Sequence, residues 1–375
     1  MKICFVTVAG SPDYLGGYSL YHKNLIKYIK AYNKNIEVFW VYFGDENREY
    51  DGEDGVHYYE IKSANINPIV EIIRHIKLVK FFKKHNFDII NSIGGIWTYF
   101  YKKKDEQRII HTYHGTSYYF NKNQLEKYGP IRRTLFSFML ILAKMLDRPH
   151  KNVDKIICVS DKVKKQVQDL FGKIDDIVVI RTGVDLNEFK PRDKNVAKIT
   201  LGLIKENKYA LYVGGGGYWG KGLDRAIKIS EEIYKNNPYY RLLVIGADYK
   251  KVRKLVDNSE YTIFLKNVSR NDMYLYYDAA DMFFSVSRYE GGAPTMVTSE
   301  AMASGCLLIC SKDAEQEIII DGINGIVCEN FDEYDAKRII EADREKIITN
   351  ELDSISDYSF EKWGKKCLDA LEVNK

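Results

Sequence analysis

Short apolar runs alternate with stretches of helical pattern along the whole chain. Residues 3–8, 36–41, 89–93, 108–112, 155–159 and 177–181 are rich in Ile, Val and aromatic side chains, and predict the strands of one sheet. A second set, 209–213, 241–245, 262–265, 282–286, 307–310 and 325–328, predicts another. Helical patterns fill the intervals, among them 18–32, 224–235, 270–279 and 333–342. Two blocks of alternating strand and helix imply an α/β protein with two Rossmann-like parallel-sheet domains facing across a cleft. The expected boundaries are a first domain at 1–190, a polar linker at 191–208, a second domain at 209–358 and a terminal helix within 359–375. That helix carries Phe360, Trp363 and Leu368.

Length and composition fit this picture. The 375 residues suffice for two cores, and 45% apolar with 29% charged residues is ordinary for a globular chain. The 29 tyrosines accompany abundant Lys, Ile and Asn. Charge is unevenly spread. Residues 1–190 hold 30 Lys+Arg against 22 Asp+Glu, a net +8, and residues 191–375 hold 26 against 30, a net −4. A basic first half suits an acidic acceptor, a nucleic acid or an anionic membrane. The six cysteines are scattered without metal-ligand spacing, and several sit in strand-like runs such as Ile156-Ile-Cys158, so buried free thiols in a reducing compartment are expected. The first residues are too few and too β-rich for a signal peptide. The longest apolar run, 135–146, contains Ser137 and Lys144 and falls short of the roughly 20 residues a bilayer span needs. The expected location is the cytoplasm. Two segments suit peripheral contact with the inner face of a membrane: the basic amphipathic stretch 71–84, and Arg132-Arg133 followed by 135–146.

The candidate chemistry lies just after the strands. Following 282–286 comes Ser287-Arg-Tyr-Glu-Gly-Gly-Ala-Pro-Thr-Met-Val-Thr-Ser-Glu-Ala-Met-Ala-Ser-Gly305. It reads as strand, glycine-rich loop and helix N-terminus, with Pro294 in the first helical turn and Gly305 ending the helix. Such a start presents backbone N–H groups and a positive dipole end to an anion near Thr295. Glu300 falls among Met296, Val297, Ala301 and Met302, where a carboxylate is costly unless a ligand or partner binds it. After 209–213 comes Gly214-Gly-Gly-Gly-Tyr-Trp-Gly-Lys221-Gly, whose glycines admit close phosphate approach and whose Lys221 supplies a charge. It is not a Walker loop, and four consecutive glycines make a poor dinucleotide fingerprint. His111 and His114 end the strand 108–112. A strand end points them poorly for a metal and no third ligand is evident. Together with the lack of an Asp-x-Asp motif, this leads us to expect no metal; Asp51-Gly-Glu-Asp54 reads as a solvated loop. Gly16 and Gly17 open a helix after the first strand.

These segments together resemble the retaining glycosyltransferases of family 4, which have the GT-B fold. The resemblance spans nearly the whole chain and is strongest over 209–330. It rests on the Glu290…Glu300-Ala-Met-Ala-Ser-Gly305 stretch, the Lys221-Gly222 helix start, His114-Gly115, Cys158-Val-Ser160, and the turn Arg181-Thr-Gly-Val-Asp185. It implies that Glu300 binds the ribose hydroxyls of a nucleotide-sugar and that Glu290 lies near the donor sugar. Lys221 would bind the diphosphate and His114 would lie near the transferred sugar. Further donor contacts would fall to Gly16, Gly17, Gly215, Gly216, Gly292, Pro294 and Thr295. Lys266, Asn267 and Val268 would read the base. The terminal helix would cross back to the first, acceptor-binding domain. Four departures are visible. Thr182 stands where the family's turn has Asn, and Lys266 where a Gly is common. Nine residues separate the glutamates where the family has seven, and Gly215 stands where an Arg is usual, leaving Arg181, Arg225 and Arg288 as candidates for the second cation. The implied activity is transfer, with retention and without metal or cofactor, from a UDP-sugar as co-substrate to a glycan or lipid-linked acceptor in surface polysaccharide or glycolipid synthesis. No nucleic-acid partner is expected. The alternatives are a sugar-nucleotide epimerase, a non-catalytic sugar-nucleotide-binding subunit and, more distantly, a dehydrogenase.

Overall fold

In the computed structural model the apolar runs become two sheets. The structure describes residues 1–375 except 8–11, 13–15, 64–67, 94, 126–127, 150, 215–218, 247–251, 253–259, 266–267 and 374–375, and omits the side chains of 68–71, 131, 132 and 135. The chain divides into two units, residues 1–181 with 363–375 and residues 182–362.

The first unit is built on β1 (Lys2–Thr7), β2 (Glu37–Gly44), β3 (Arg48–Asp51), β4 (His57–Lys62), β5 (Ile89–Ser92), β6 (Arg108–Tyr113), β7 (Lys155–Cys158) and β8 (Ile177–Val179). Their order is β3-β4-β2-β1-β5-β6-β7-β8. All neighbours are parallel except β3, which runs antiparallel to β4. The β3–β4 hairpin is absent from the sequence reading, which took residues 51–54 for a solvated loop. That loop, exposed at Asp51, Glu53 and Asp54, is the turn of the hairpin, with Asp54 accepting from the Tyr58 hydroxyl at 2.7 Å. The pair escapes notice because β3 is an exposed edge and β4 carries a charge inward. Glu60 is buried, and that is tolerated because Arg48 lies 2.7 Å away and the Tyr42 hydroxyl donates at 3.1 Å.

Helices of this unit are α1 (Gly17–Tyr32), α2 (Pro68–Lys84), α3 (Ser117–Leu125), α4 (Pro130–Phe136), α5 (Phe138–Asp147) and α6 (Asp161–Phe171). Ser160 caps α6 by accepting from the Val163 N–H at 2.9 Å. Cys4, Val6, Val41, Ile90 and Ile109 of the sheet pack with Phe82 of α2 and with Trp97. The terminal helix (Phe360–Leu371) adds its inner face to the same unit from Trp363 onward. The Trp363 ring meets Tyr21 of α1 at 5.2 Å, and Gly364 lies so close to the Tyr28 ring that a Cβ would collide with it.

The second unit holds β9 (Lys208–Val213), β10 (Tyr240–Ile245), β11 (Thr262–Leu265), β12 (Met282–Ser285), β13 (Leu307–Ser311) and β14 (Ile326–Cys328), in the order β11-β10-β9-β12-β13-β14, all parallel. Each matches a run read from the sequence. Its described helices include α7 (Lys194–Thr200), α8 (Leu223–Asn236), α9 (Met273–Ala279), α10 (Met296–Ala303), α11 (Glu333–Glu341) and α12 (Arg344–Ser356). The polar stretch read as a linker therefore contains α7. Ala197 and Lys198 of α7 are buried, and Lys198 donates to the Asn207 carbonyl at 2.8 Å and faces Asp281 at 3.5 Å. Adjacent strand residues face opposite sides of the sheet, so Tyr212, Val244 and Phe284 enter one core while Leu211, Leu243 and Phe283 enter the other.

Strand order reverses between β9 and β12. These strands pair directly, Met282 opposite Ala210, yet the chain leaves β9 toward β10 and leaves β12 toward β13. The chain thus leaves the two carboxyl ends toward opposite sides of the sheet, and this is the place where open α/β sheets bind ligands.

Glu351 of α12 supports this sheet. It is fully buried and accepts the Leu308 N–H at 2.9 Å, and burial pushes its carboxyl up to about 8. A folded value above the unfolded one means that the contribution to stability is complete below about pH 4 and is lost as pH rises through about 8. Glu351→Gln keeps an acceptor for Leu308 and cannot ionise. Urea unfolding should find the variant equal to the parent at pH 5 and more stable, by on the order of 3 kcal/mol, at pH 9; a parallel pH dependence of both proteins would contradict this.

Candidate functional site

Two groups of residues collect at the sheet ends, one in each unit. In the second unit, Lys221 follows β9 and Glu290 follows β12, so the reversal of strand order brings them together. Lys221 Nζ lies 2.7 Å from Glu290 Oε1. The Glu290 side chain is 12% exposed and that of Lys221 41%, so the lysine retains an open side. The two loops are stitched by Arg288. Its N–H donates to the Gly220 carbonyl at 2.9 Å, and its guanidinium makes a two-pronged contact with Asp224 at 2.8 and 2.6 Å. It also donates to the Trp219 carbonyl and stacks 4.6 Å over the Trp219 ring. Gly222 closes the turn at φ 75° and begins α8; a Cβ there would run into the Val286 carbonyl.

Of the three arginines considered for the second cation, Arg288 is the one beside Lys221. Arg225 pairs with Asp313 and covers the Phe331 ring, and Arg181, in the other unit, pairs with Asp161. The Asp224 partner was not foreseen; no local pattern links it to Arg288, 64 residues away.

The loop then passes Gly292, at φ 85°, whose carbonyl accepts from the Glu317 N–H at 2.7 Å, and enters α10. Thr295 is the N-cap and accepts from the Thr298 N–H. Pro294 therefore precedes the cap instead of lying in the first turn, because Thr295 caps better than proline can. A buried chain of hydroxyls fixes this start: Thr295 to Thr298 at 2.8 Å, Thr298 to Ser285 at 2.8 Å, and Ser285 to Gln316 at 2.7 Å. Gly305 ends the helix at φ 75°.

Glu300 lies in α10 and is 2% exposed. The partner it requires is in the protein itself. Arg270 grips both carboxylate oxygens, at 2.8 and 2.5 Å, and the Tyr277 hydroxyl donates at 2.9 Å. Burial raises the Glu300 carboxyl above its ordinary value, while Arg270 and then Tyr277 pull it back. The sequence reading had placed a helix start at Arg270 and had no signal that its side chain would reach Glu300. Val268, just before, is half-buried in the adjoining core. Lys266, Asn267, Gly215 and Gly216 lie outside the described residues.

In the first unit, α1 begins at Gly17 with Gly16 as its cap; the Gly16 carbonyl accepts from the Leu20 N–H at 3.0 Å. Its first turns carry Tyr18 and Tyr21, whose rings stand edge-on to His114 at 5.0 and 4.5 Å. His114 follows β6, and its Nε2 is buried with no hydrogen-bond partner among the described residues. Burial first, then nearby His22, lowers its pKa to about 3, so the ring is neutral at pH 7. A neutral imidazole offers one donor and one acceptor, suited to hydroxyl groups. His111 is a fully buried strand residue bonded to the Ser92 hydroxyl at 2.7 Å. Among the described residues no group of three metal-ligating side chains assembles. Both histidines belong to the first unit, and Lys221, Glu290 and Glu300 belong to the second.

Comparison with known proteins covers both units. A model of "Glycosyltransferase Family 4" matches residues 15–188, and one of "Glycosyl transferases group 1" matches residues 193–351. The chain is 27% identical over 250 residues to an alpha-monoglucosyldiacylglycerol synthase of Streptococcus pneumoniae, a match covering 62% of this chain and 54% of the relative. Among solved structures it resembles sucrose-phosphate synthase from Thermosynechococcus elongatus, with a TM-score of 0.78 at 17% identity over 100% of this chain and 98% of the other. It also resembles Anabaena HepE in complex with UDP and glucose, with a TM-score of 0.70 at 17% identity over 99% of each chain.

The loop stitching rests on Gly222. Gly222→Ala should lower the thermal unfolding midpoint clearly, through positive φ and a backbone collision that no rotamer relieves, by about 2 kcal/mol or more. An unchanged midpoint in a calorimetric scan would mean that the two loops separate easily.

Proposed function

The chain belongs to the group 1 glycosyltransferases of family 4, with the GT-B fold, and from that premise we propose that it moves a sugar, with retention and without a metal, from a UDP-sugar to a glycan or lipid-linked acceptor. The observation that carries this reading is the Lys221–Glu290 pair at the point of strand-order reversal, with the α10 N-terminus in the same loop. A diphosphate there would meet the open side of Lys221 and the Thr295 start of α10. Both favour the negative charge that builds on the leaving oxygen. Glu290, released as Lys221 turns to phosphate, would accept from sugar hydroxyls, and Glu300 from the ribose. In the reading we favour, the leaving phosphate takes the acceptor proton, so no side chain need serve as base. The neutral His114 would orient the transferred sugar. A UDP donor is favoured because the structural neighbour HepE is described with UDP and glucose.

Donor binding and turnover test this together. Purified protein incubated with UDP-, GDP- and ADP-sugars should be stabilised by one nucleotide class and slowly release its diphosphate. Lys221→Ala should lower that turnover by about 10²–10³-fold. Stabilisation without release, across candidate acceptors, would instead favour a binding subunit.

For the acceptor we favour a lipid-linked glycan or glycolipid at an anionic membrane. The monoglucosyldiacylglycerol synthase relative bears a lipid in its name, and the first unit exposes apolar side chains beside cations. Ile72, Ile73 and Ile76 of α2 are 42–46% exposed near exposed Lys80, Lys83 and Lys84. Phe138, Ile141 and Met145 of α5 are 50–68% exposed beside Lys144. Among the described residues no helix is long and apolar enough to cross a membrane. The protein should therefore co-sediment with phosphatidylglycerol vesicles, weaken at high salt, and ignore phosphatidylcholine vesicles. Equal binding to both would remove the electrostatic part of this reading.

A further inference from the structure

The Arg270–Glu300 contact is unusual because a side chain of the protein holds both oxygens of the carboxylate expected to hold a ligand. An ionised carboxylate has about four acceptor positions. Arg270 fills one on each oxygen and the Tyr277 hydroxyl fills a second on Oε2. Among the described residues nothing fills the remaining position, on Oε1. Arg270 is itself fixed, with its guanidinium 5.2 Å over the buried Phe189 ring. Ser269, its neighbour, caps the single turn Arg270–Asp272 that leads into α9. Two residues before Arg270 stands Val268, the end of the segment expected to read the base.

We propose that Arg270 is a positioning residue for the nucleotide: it keeps Glu300 ionised and fixes its rotamer with one acceptor position open to a ribose hydroxyl. The inference rests on the reading of Glu300 as the ribose contact. A forked guanidinium suits the task because it satisfies two oxygens in one plane, which an ammonium does not. Without it a carboxyl this deeply buried takes up a proton and ceases to accept on the protonated oxygen. Among the described residues the charged and titratable groups facing Glu300 are Arg270, the Tyr277 hydroxyl and, at longer range, Glu188, which opposes ionisation. Removing Arg270 thus leaves Glu300, among these, with a phenol and a like charge.

The test is calorimetric titration with UDP, or with the nucleoside diphosphate selected in the donor screen, between pH 7 and 9.5, on the full chain. Arg270→Met should weaken binding roughly 10–100-fold at pH 7 relative to the parent, and the gap should narrow as pH rises and Glu300 ionises again. Arg270→Lys, which keeps the charge and guards against a variant that does not fold, should weaken binding about tenfold. Glu300→Gln should be weak at every pH. Parent-like affinity of both Arg270 variants across the range, with Glu300→Gln weakened, would overturn the inference and leave the ribose reading standing. Parent-like affinity of Glu300→Gln would overturn both. A deficit in Arg270→Met that stays constant with pH would reduce Arg270 to a structural prop.

Discussion

Right-handed crossovers that all run one way along a parallel sheet put every helix on one face, so a sheet with a core on both faces must turn back in strand order. Here it turns back between β9 and β12, two hydrogen-bonded neighbours, and the loops that follow them carry the site. The polar features of the second unit answer that constraint. Lys221 comes from one loop and Glu290 from the other. Arg288 spans them, and the hydroxyl chain from Thr295 to Gln316 anchors the far end. Remove the reversal and these groups, 69 residues apart for Lys221 and Glu290, have no reason to meet.

Electrostatics then sets what the site prefers. Asp224, Glu290 and Glu300 each already have a cation, and two of the three cations, Arg288 and Arg270, grip in two-pronged fashion. Lys221 differs, with one contact among the described residues and an open side. The accessible charge is therefore a compact ammonium, while the planar guanidiniums act as struts. On the first unit the counterpart is uncharged: a neutral imidazole walled by two tyrosine rings.

The strands of the second unit were legible because each is a dense apolar run bounded by turn residues. Strands β3 and β4 were not, because an exposed edge and a buried Glu60 erase that contrast. The helix α7 hid in a polar stretch because its buried side includes a lysine, Lys198, satisfied by a carbonyl and Asp281. At the site, the family resemblance pointed to Lys221, Glu290 and Glu300, and local chemistry foresaw that Glu300 needed a ligand or partner. It could not name Arg270 or Asp224, since such pairings depend on tertiary approach across 30 and 64 residues and leave no local trace.

The terminal helix carries a consequence for how the chain is made. Residues 363–375 complete a unit whose other part ends at Arg181. On the ribosome, Tyr21 and Tyr28 emerge early with the apolar face that Trp363, Cys367 and Leu368 will later cover. At ~5–20 residues per second, that face waits ~10–40 s while the whole second unit is synthesised. For that interval the nascent first unit lacks the side chains that cover Tyr21 and Tyr28, and the second unit has all its residues before the first does.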